Sequence, residues 1–312
     1  MQIQWYPGHM HKASKQIKET LPKVDVIIEI LDARIPYSSE NPMLKTLRGD
    51  KPCIKILSKS DLADPEITQL WQAYFEQEHA VKTLALSLLQ GSSNDYDKIQ
   101  QLPDLCRKLV PAKQNSVKLI HTMIVGIPNV GKSTLINTIT GTAIAKTGNE
   151  PAVTKMQQRI NLGNGIVLSD TPGVLWPNIE NKKAGFRLAT TGAVKDTAMD
   201  YVDVAFFAAG YLLQAYPNKL KEHYNLESLP ASELELLESI GAKRGCLRSG
   251  GQVDLNKAST LFLNEFRSGT LGRISLETPS MMESELDEVL ILREQKAAKK
   301  ALRKNKRKGK NN

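Results

Sequence analysis

The sequence predicts an α/β domain with a mainly parallel sheet, followed by an all-α C-terminal domain. Three observations carry that expectation. Up to about residue 175, apolar strand-like runs alternate with helical patterns. A complete G-x-x-x-x-G-K-[ST] loop stands at 126–133, between one such run and a helical pattern. From 184 to 265 the apolar residues recur at helical spacing, as in Val202, Ala205, Phe206, Ala209, Leu212 and Leu213, with no strand-like run.

The elements follow in order. Residues 24–31 read as a buried strand ending at Asp32, and 53–57 as a second strand ending at Ser58. Asp64-Pro65-Glu66 opens a helix that the pattern carries to about Glu78: a capping carboxylate, Pro at the first helical position and an acid in the first turn. A short third strand is expected over 82–86, a single helix over 96–109 and a fourth strand over 119–125. The Gly-rich loop then leads into a helix from Lys132 to about Ile139. Residues 156–162 and 166–169 read as a hairpin turning at Gly163-Asn164-Gly165. The domain division expected is 1–178, 179–295 and a basic tail, 296–312, disordered when free.

An apolar fraction of 41% with 20 Gly and 15 Pro fits a globular chain with a real core. No apolar run is long enough to span a membrane, and the N-terminus lacks the pattern of a secretory signal, so a cytoplasmic protein is expected. Cys53, Cys106 and Cys246 lack metal-ligand spacing and read as reduced, inert thiols. The net charge of +9 is concentrated: residues 296–312 hold nine Lys or Arg and no acid, which leaves the rest of the chain neutral. Two readings of this tail stand, a solvated extension or a polyanion contact made through counterion release. Lys299, Lys300, Arg303, Lys304, Lys306 and Arg307 are its RNA-binding candidates. RNA is favoured over membrane because no amphipathic apolar face accompanies the charges. Lys243, Arg244, Arg248 and Lys257 read equally as an RNA-facing patch or a solvated face. Phe206, Phe207, Tyr211 and Tyr216 read as packing residues.

The chemistry begins at Gly126-Ile-Pro-Asn-Val-Gly131-Lys132-Ser133. Such a loop wraps phosphates with backbone N–H groups at a helix N-terminus. Asn129, Val130, Gly131, Lys132, Ser133 and Thr134 are the expected phosphate binders; Lys132 reaches the β and γ phosphates and Ser133 a Mg²⁺ ion. Asp170-Thr-Pro-Gly173 closes the strand at 166–169, placing Asp170 toward Mg²⁺ and the Gly173 N–H toward the γ-phosphate. Thr154 is the candidate switch threonine, also toward Mg²⁺, beside the alternative of an ordinary loop residue. Ser58-Lys59-Ser60-Asp61 approximates the Asn-Lys-x-Asp guanine reader, in which the Asp accepts from two guanine N–H groups. Ser87 is the weaker fourth member of that set. Together these residues predict GTP and GDP as ligands.

Order is informative. Ordinary small GTPases run phosphate loop, switch threonine, D-x-x-G, Asn-Lys-x-Asp. Here the base readers precede the phosphate binders, which a sheet tolerates if old termini are joined and new ones opened. With Trp5-Tyr-Pro-Gly-His-Met10 at the start and Leu31-Asp-Ala-Arg-Ile-Pro36 after the first strand, the chain resembles, over nearly its whole length, the circularly permuted ribosome-assembly GTPases of the YlqF/RbgA type. It departs from their pattern at Ser58, Leu88 and Ala152. The resemblance implies a circularly permuted Ras-like P-loop domain and a role in late maturation of the large ribosomal subunit. It further implies rRNA binding in the GTP state and release after ribosome-stimulated hydrolysis, with a monomer expected off the ribosome.

Val174 stands where Ras-like enzymes place a water-orienting Gln. The resemblance points to His9 as the catalytic candidate, against the alternative of a residue that locks the N-terminal segment. It also makes Asn129 a candidate ligand for K⁺. Two rivals remain: a nucleotide-gated RNA scaffold that does not hydrolyse usefully, and a P-loop small-molecule kinase. The role of Asp32-Ala-Arg-Ile-Pro36 does not follow from the sequence; Arg34 either contacts phosphate or pairs with an acid.

Overall fold

The computed structural model describes residues 3, 5–88, 93–114, 119–142, 158–162 and 165–308. Its six strands are β1 (Val26–Asp32), β2 (Cys53–Ser58), β3 (Val81–Leu86), β4 (Ile120–Gly126), β5 (Gln158–Asn161) and β6 (Ile166–Asp170). They form one sheet in the order β3-β2-β1-β4-β6-β5. All neighbours are parallel except β5 and β6, which form the expected antiparallel hairpin; Gly163 and Asn164 of its turn lie outside the described residues.

Permutation is visible in this order. The chain starts in the middle of the sheet, winds outward through β2 to β3, and returns to lay β4 beside β1, with Val26 opposite Thr122 and Ile30 opposite Gly126. β1 and β2 are buried along their whole length, as central parallel strands must be when helices cover both faces. Edge strand β3 has an exposed position at Lys82.

The helices of this half are α1 (Gly8–Thr20), α2 (Pro36–Ser39), α3 (Pro42–Arg48), α4 (Pro65–Phe75), α5 (Ser93–Gln100), α6 (Leu102–Lys108), α7 (Pro111–Gln114) and α8 (Lys132–Thr140). Asp64 caps α4 as expected, accepting from the N–H groups of Glu66 and Ile67, but the helix stops at Phe75. The single helix expected over 96–109 is two. Pro103 has no N–H with which to continue α5, so the chain restarts as α6 with the proline in its first turn.

The second half is helical: α9 (Lys182–Thr190), α10 (Tyr201–Ala215), α11 (Pro217–His223), α12 (Glu233–Lys243), α13 (Leu255–Ser268) and α14 (Pro279–Lys308). Asn181, Asp200, Ser232 and Asp254 cap α9, α10, α12 and α13 with their side chains. α10 packs against α9, α12 and α13 around Val204, Ala208, Leu212, Leu237, Ile240 and Phe262. Phe207 stacks on Phe186, with ring centroids 5.1 Å apart.

α14 runs unbroken to Lys308 and so takes in residues 296–308 of the basic tail. Residues 296–308 consist of Ala, Leu, Lys and Arg with one Asn and no Gly or Pro, so helix propensity outweighs the mutual repulsion of the charges. The three cysteines are free and buried, and burial pushes the Cys106 thiol up to about 12, in keeping with inert thiols.

Candidate nucleotide site

In a parallel sheet the carboxyl ends of the strands share one edge, and ligands sit outside that edge where the strand order reverses. β1 ends at Asp32, β2 at Ser58, β3 at Leu86, β4 at Gly126 and β6 at Asp170. The sheet therefore gathers on one rim the motifs that the sequence spreads over more than a hundred positions.

Gly126 and Gly131 take φ of +154° and +96°, and the helix opened by Gly131 is α8. A Cβ on Gly126 would stand 2.5 Å from the Ile30 carbonyl oxygen, so the loop leaves β4 along a path only glycine permits. Asn129 is also left-handed, at φ +61°. The Lys132 ammonium donates to the carbonyls of Gly126 (3.1 Å) and Ile127 (2.7 Å). Burial lowers its pKa to about 8 against the opposing charge of Asp170.

Asp170-Thr-Pro-Gly173 lies directly on this loop. A Cβ on Gly173 would fall 2.9 Å from the backbone of Pro128 and 3.1 Å from the Lys132 ammonium. Thr171 donates to the Ile124 carbonyl at 2.7 Å. Both carboxylate oxygens of Asp170 are buried and lack a hydrogen-bond partner. Burial raises this carboxyl to about 6, with Lys132 acting in the other direction. A buried, unpartnered carboxylate beside a phosphate loop is what a hard divalent cation requires, and the donor set of Asp170 with Ser133 fits Mg²⁺. Thr154 lies outside the described residues. Val174 is 2% exposed and takes no part in the open site.

The segment expected to read the base follows β2. Lys59 has φ +56° and its ammonium meets Asp32 at 3.0 Å. Asp61 is partly exposed, and Ser87 is buried just past β3. Ser58 closes β2. Its buried hydroxyl donates to the Leu31 carbonyl at 2.8 Å and ties β2 to β1. Leu88 reaches the phosphate loop, with Cδ1 2.8 Å from where a Gly131 Cβ would stand.

Two groups outside the expected ligand-binding set support the site. Arg34 pairs with an acid rather than a phosphate, gripping Asp32 through Nε (2.9 Å) and Nη2 (2.8 Å). Although burial pushes the Asp32 carboxyl up, Arg34 and Lys59 hold it well below the usual range. Asn41, the N-cap of α3, donates to the Val174 carbonyl at 3.2 Å and so fixes the chain just beyond Gly173. Only the two-residue spacing of Asp32 and Arg34 hinted at the first; nothing in the sequence signalled the second.

His9 stands exposed in the first turn of α1, its ring edge-on to Trp5 at 6.4 Å. The Asn129 amide donates to the Gly192 carbonyl, at 2.8 Å, in the connection after α9. Lys299 is exposed on α14; the side chains of Lys300, Arg303, Lys304, Lys306 and Arg307 lie outside the described residues.

A Gly-rich loop between strand and helix, with an acid-ended strand beside it and the expected base-reading segment two strands away, has the layout of a P-loop GTPase domain in permuted order. A family model described as "50S ribosome-binding GTPase" matches residues 121–228. Ribosome biogenesis GTPase A of Bacillus cereus is 43% identical over 297 residues, covering 93% of this chain and 98% of that protein. Its Priestia megaterium counterpart is 44% identical over 292 residues, covering 92% and 100%. Among solved structures, GNP-bound YlqF from T. maritima aligns with a TM-score of 0.59 at 28% identity, covering 86% of this chain and 98% of that one. The chain belongs to the YlqF/RbgA family of circularly permuted ribosome-biogenesis GTPases. It binds and hydrolyses GTP, with the Mg²⁺ dependence of its class.

Proposed function

We propose that this protein is an assembly factor for late maturation of the large ribosomal subunit, binding rRNA in its GTP state and leaving after subunit-stimulated hydrolysis. The observation that carries the reading is near full-length similarity to proteins named ribosome biogenesis GTPase A, joined to a helical half bearing an exposed basic surface. Lys243, Arg244, Arg248 and Lys257 are all exposed around the connection between α12 and α13, and residues 296–312 hold nine Lys or Arg and no acid. These are the surfaces assigned to RNA. Among the described residues no helix is long and apolar enough to cross a membrane. A cytoplasmic monomer off the ribosome completes the reading.

In the site, Asn129, Val130, Gly131, Lys132, Ser133, Thr134 and Gly173 hold the phosphates, while Ser58, Lys59 and Asp61, backed by Ser87, read guanine. Ser133, Thr154 and Asp170 serve Mg²⁺, which when bound neutralises phosphate charge as it develops. Val174 is an apolar core residue and cannot orient water, so the group that completes hydrolysis comes from elsewhere: His9, or K⁺ beside Asn129.

GTP turnover by the purified protein in K⁺ buffer, with and without large ribosomal subunits, tests this. Slow intrinsic turnover with strong stimulation by the subunit is expected, abolished by Lys132→Ala. Fast turnover indifferent to subunits would overturn the proposal. Tight GTP binding without stimulation would favour a non-hydrolysing scaffold, in which His9→Ala is silent.

A further inference from the structure

The phosphate loop and the base loop sit on different strands, yet the helical half grips both through one turn of α13. On the phosphate side, Arg267 donates through Nε to the Thr190 carbonyl (2.9 Å) and through Nη2 to the Ala189 carbonyl (2.8 Å). It thereby closes the carbonyl end of α9, where backbone acceptors have no partner within the helix. The chain then turns at Gly192, φ +80°, whose Cβ position would be 3.5 Å from Arg267 Nε. The carbonyl of that residue receives the Asn129 amide of the phosphate loop.

On the base side, Arg34 lies over the Phe266 ring at 5.3 Å and directs Nη1 to the Arg267 carbonyl at 3.5 Å, while its fork holds Asp32 and, through it, Lys59. The segment after α13 continues the grip. The Ile274 N–H donates to the Leu62 carbonyl at 2.9 Å, and Arg273 donates to the carbonyls of Ala63 (2.9 Å) and Ser60 (3.0 Å).

We propose that Arg267 is a positioning residue that couples the two ends of the nucleotide site, so that the seating of α13 sets how long GDP is retained. This rests on reading 58–61 and 126–133 as the two ends of one nucleotide site. Coupling is reciprocal: a polyanionic partner that shifts α13 changes nucleotide affinity by the factor by which nucleotide changes affinity for that partner.

Release of fluorescent mant-GDP from the full chain, in K⁺-free buffer so that any role of Asn129 toward K⁺ is removed, tests the coupling. Arg267→Gln and Asn129→Ala are each expected to speed release, by roughly tenfold for couplings of the usual size. The double variant should fall well short of the product of the two, because both act on one chain of contacts. Arg107→Gln, which breaks a surface ion pair to Asp104 within α6, should leave release unchanged. A purely structural Arg267 would lower the melting temperature with release unaltered, or give effects that multiply; either result overturns the proposal. If Arg267→Gln does not fold, Arg273→Gln makes the same test from the base side. Asp61→Asn separates the two layers. A switch from guanine to xanthine preference upholds the site reading, and multiplying effects then sink the coupling alone; unchanged base preference sinks the site reading and the coupling with it.

Discussion

Arg187 joins α9 to α14. Its guanidinium binds Glu285 through Nη1 (2.9 Å) and Nη2 (2.6 Å), lies 3.3 Å from Glu277, and donates through Nε to the Leu276 carbonyl. All three side chains are at most 3% exposed. Arg187→Met keeps much of the volume and leaves two carboxyls buried without their cation. Breaking a buried pair in this way costs about 3–5 kcal/mol, a large share of a typical stability of roughly 5–15 kcal/mol.

The pH dependence has a definite sign. With Arg187 present, the Glu285 carboxyl lies below its ordinary value although burial opposes this, while burial raises Glu277. Without Arg187 both lie above the unfolded value of 4.5. A raised carboxyl penalises the fold above its folded pKa, and the penalty fades as pH falls toward the unfolded value. The stability contributed by Glu285 in the native protein is present above 4.5 and is lost as pH falls through its lower folded value. The first effect narrows the gap between native protein and variant from pH 7 to pH 5; the second adds to it only below 4.5. Urea denaturation at the two pH values measures it. A variant within about 1 kcal/mol of the native protein at pH 7 would refute the reasoning, as this lies below the usual cost of a broken buried pair. A gap that is the same at both pH values would refute it too.

Two further outcomes are expected. Asp170 must be ionised to bind Mg²⁺ and titrates near 6, so the Mg²⁺ concentration needed to slow mant-GDP release should rise about tenfold per pH unit below that value; Asp170→Asn should remove the Mg²⁺ effect, and a pH-independent requirement would dismiss this carboxyl. Gly126→Ala places a methyl 2.5 Å from the Ile30 carbonyl at φ +154°, so nucleotide binding in equilibrium titration should fall sharply and stability by roughly 1–3 kcal/mol.

By itself the sequence determined the nature of the protein. Phosphate loops need glycine at set positions and a strand and helix on either side, and these are local requirements that leave a continuous signature at 126–133. The strand runs, the cap at Asp64, the order of base and phosphate motifs, and hence the permuted sheet were legible for the same reason. Helix ends were less so, as at Phe75 and Pro103.

Only the tertiary structure decided what holds the site. Arg267 meets Thr190 and Arg34, Glu277 meets Ser38, and Asn41 meets Val174 across separations of 77 to 239 residues, and such pairings leave no periodicity or spacing to read. The Asp32–Arg34 pair shows the limit best. Its residues were visible as a motif, but its meaning depended on which partners the folded chain brought to it: Lys59 from just beyond the next strand and Phe266 from the far helical half.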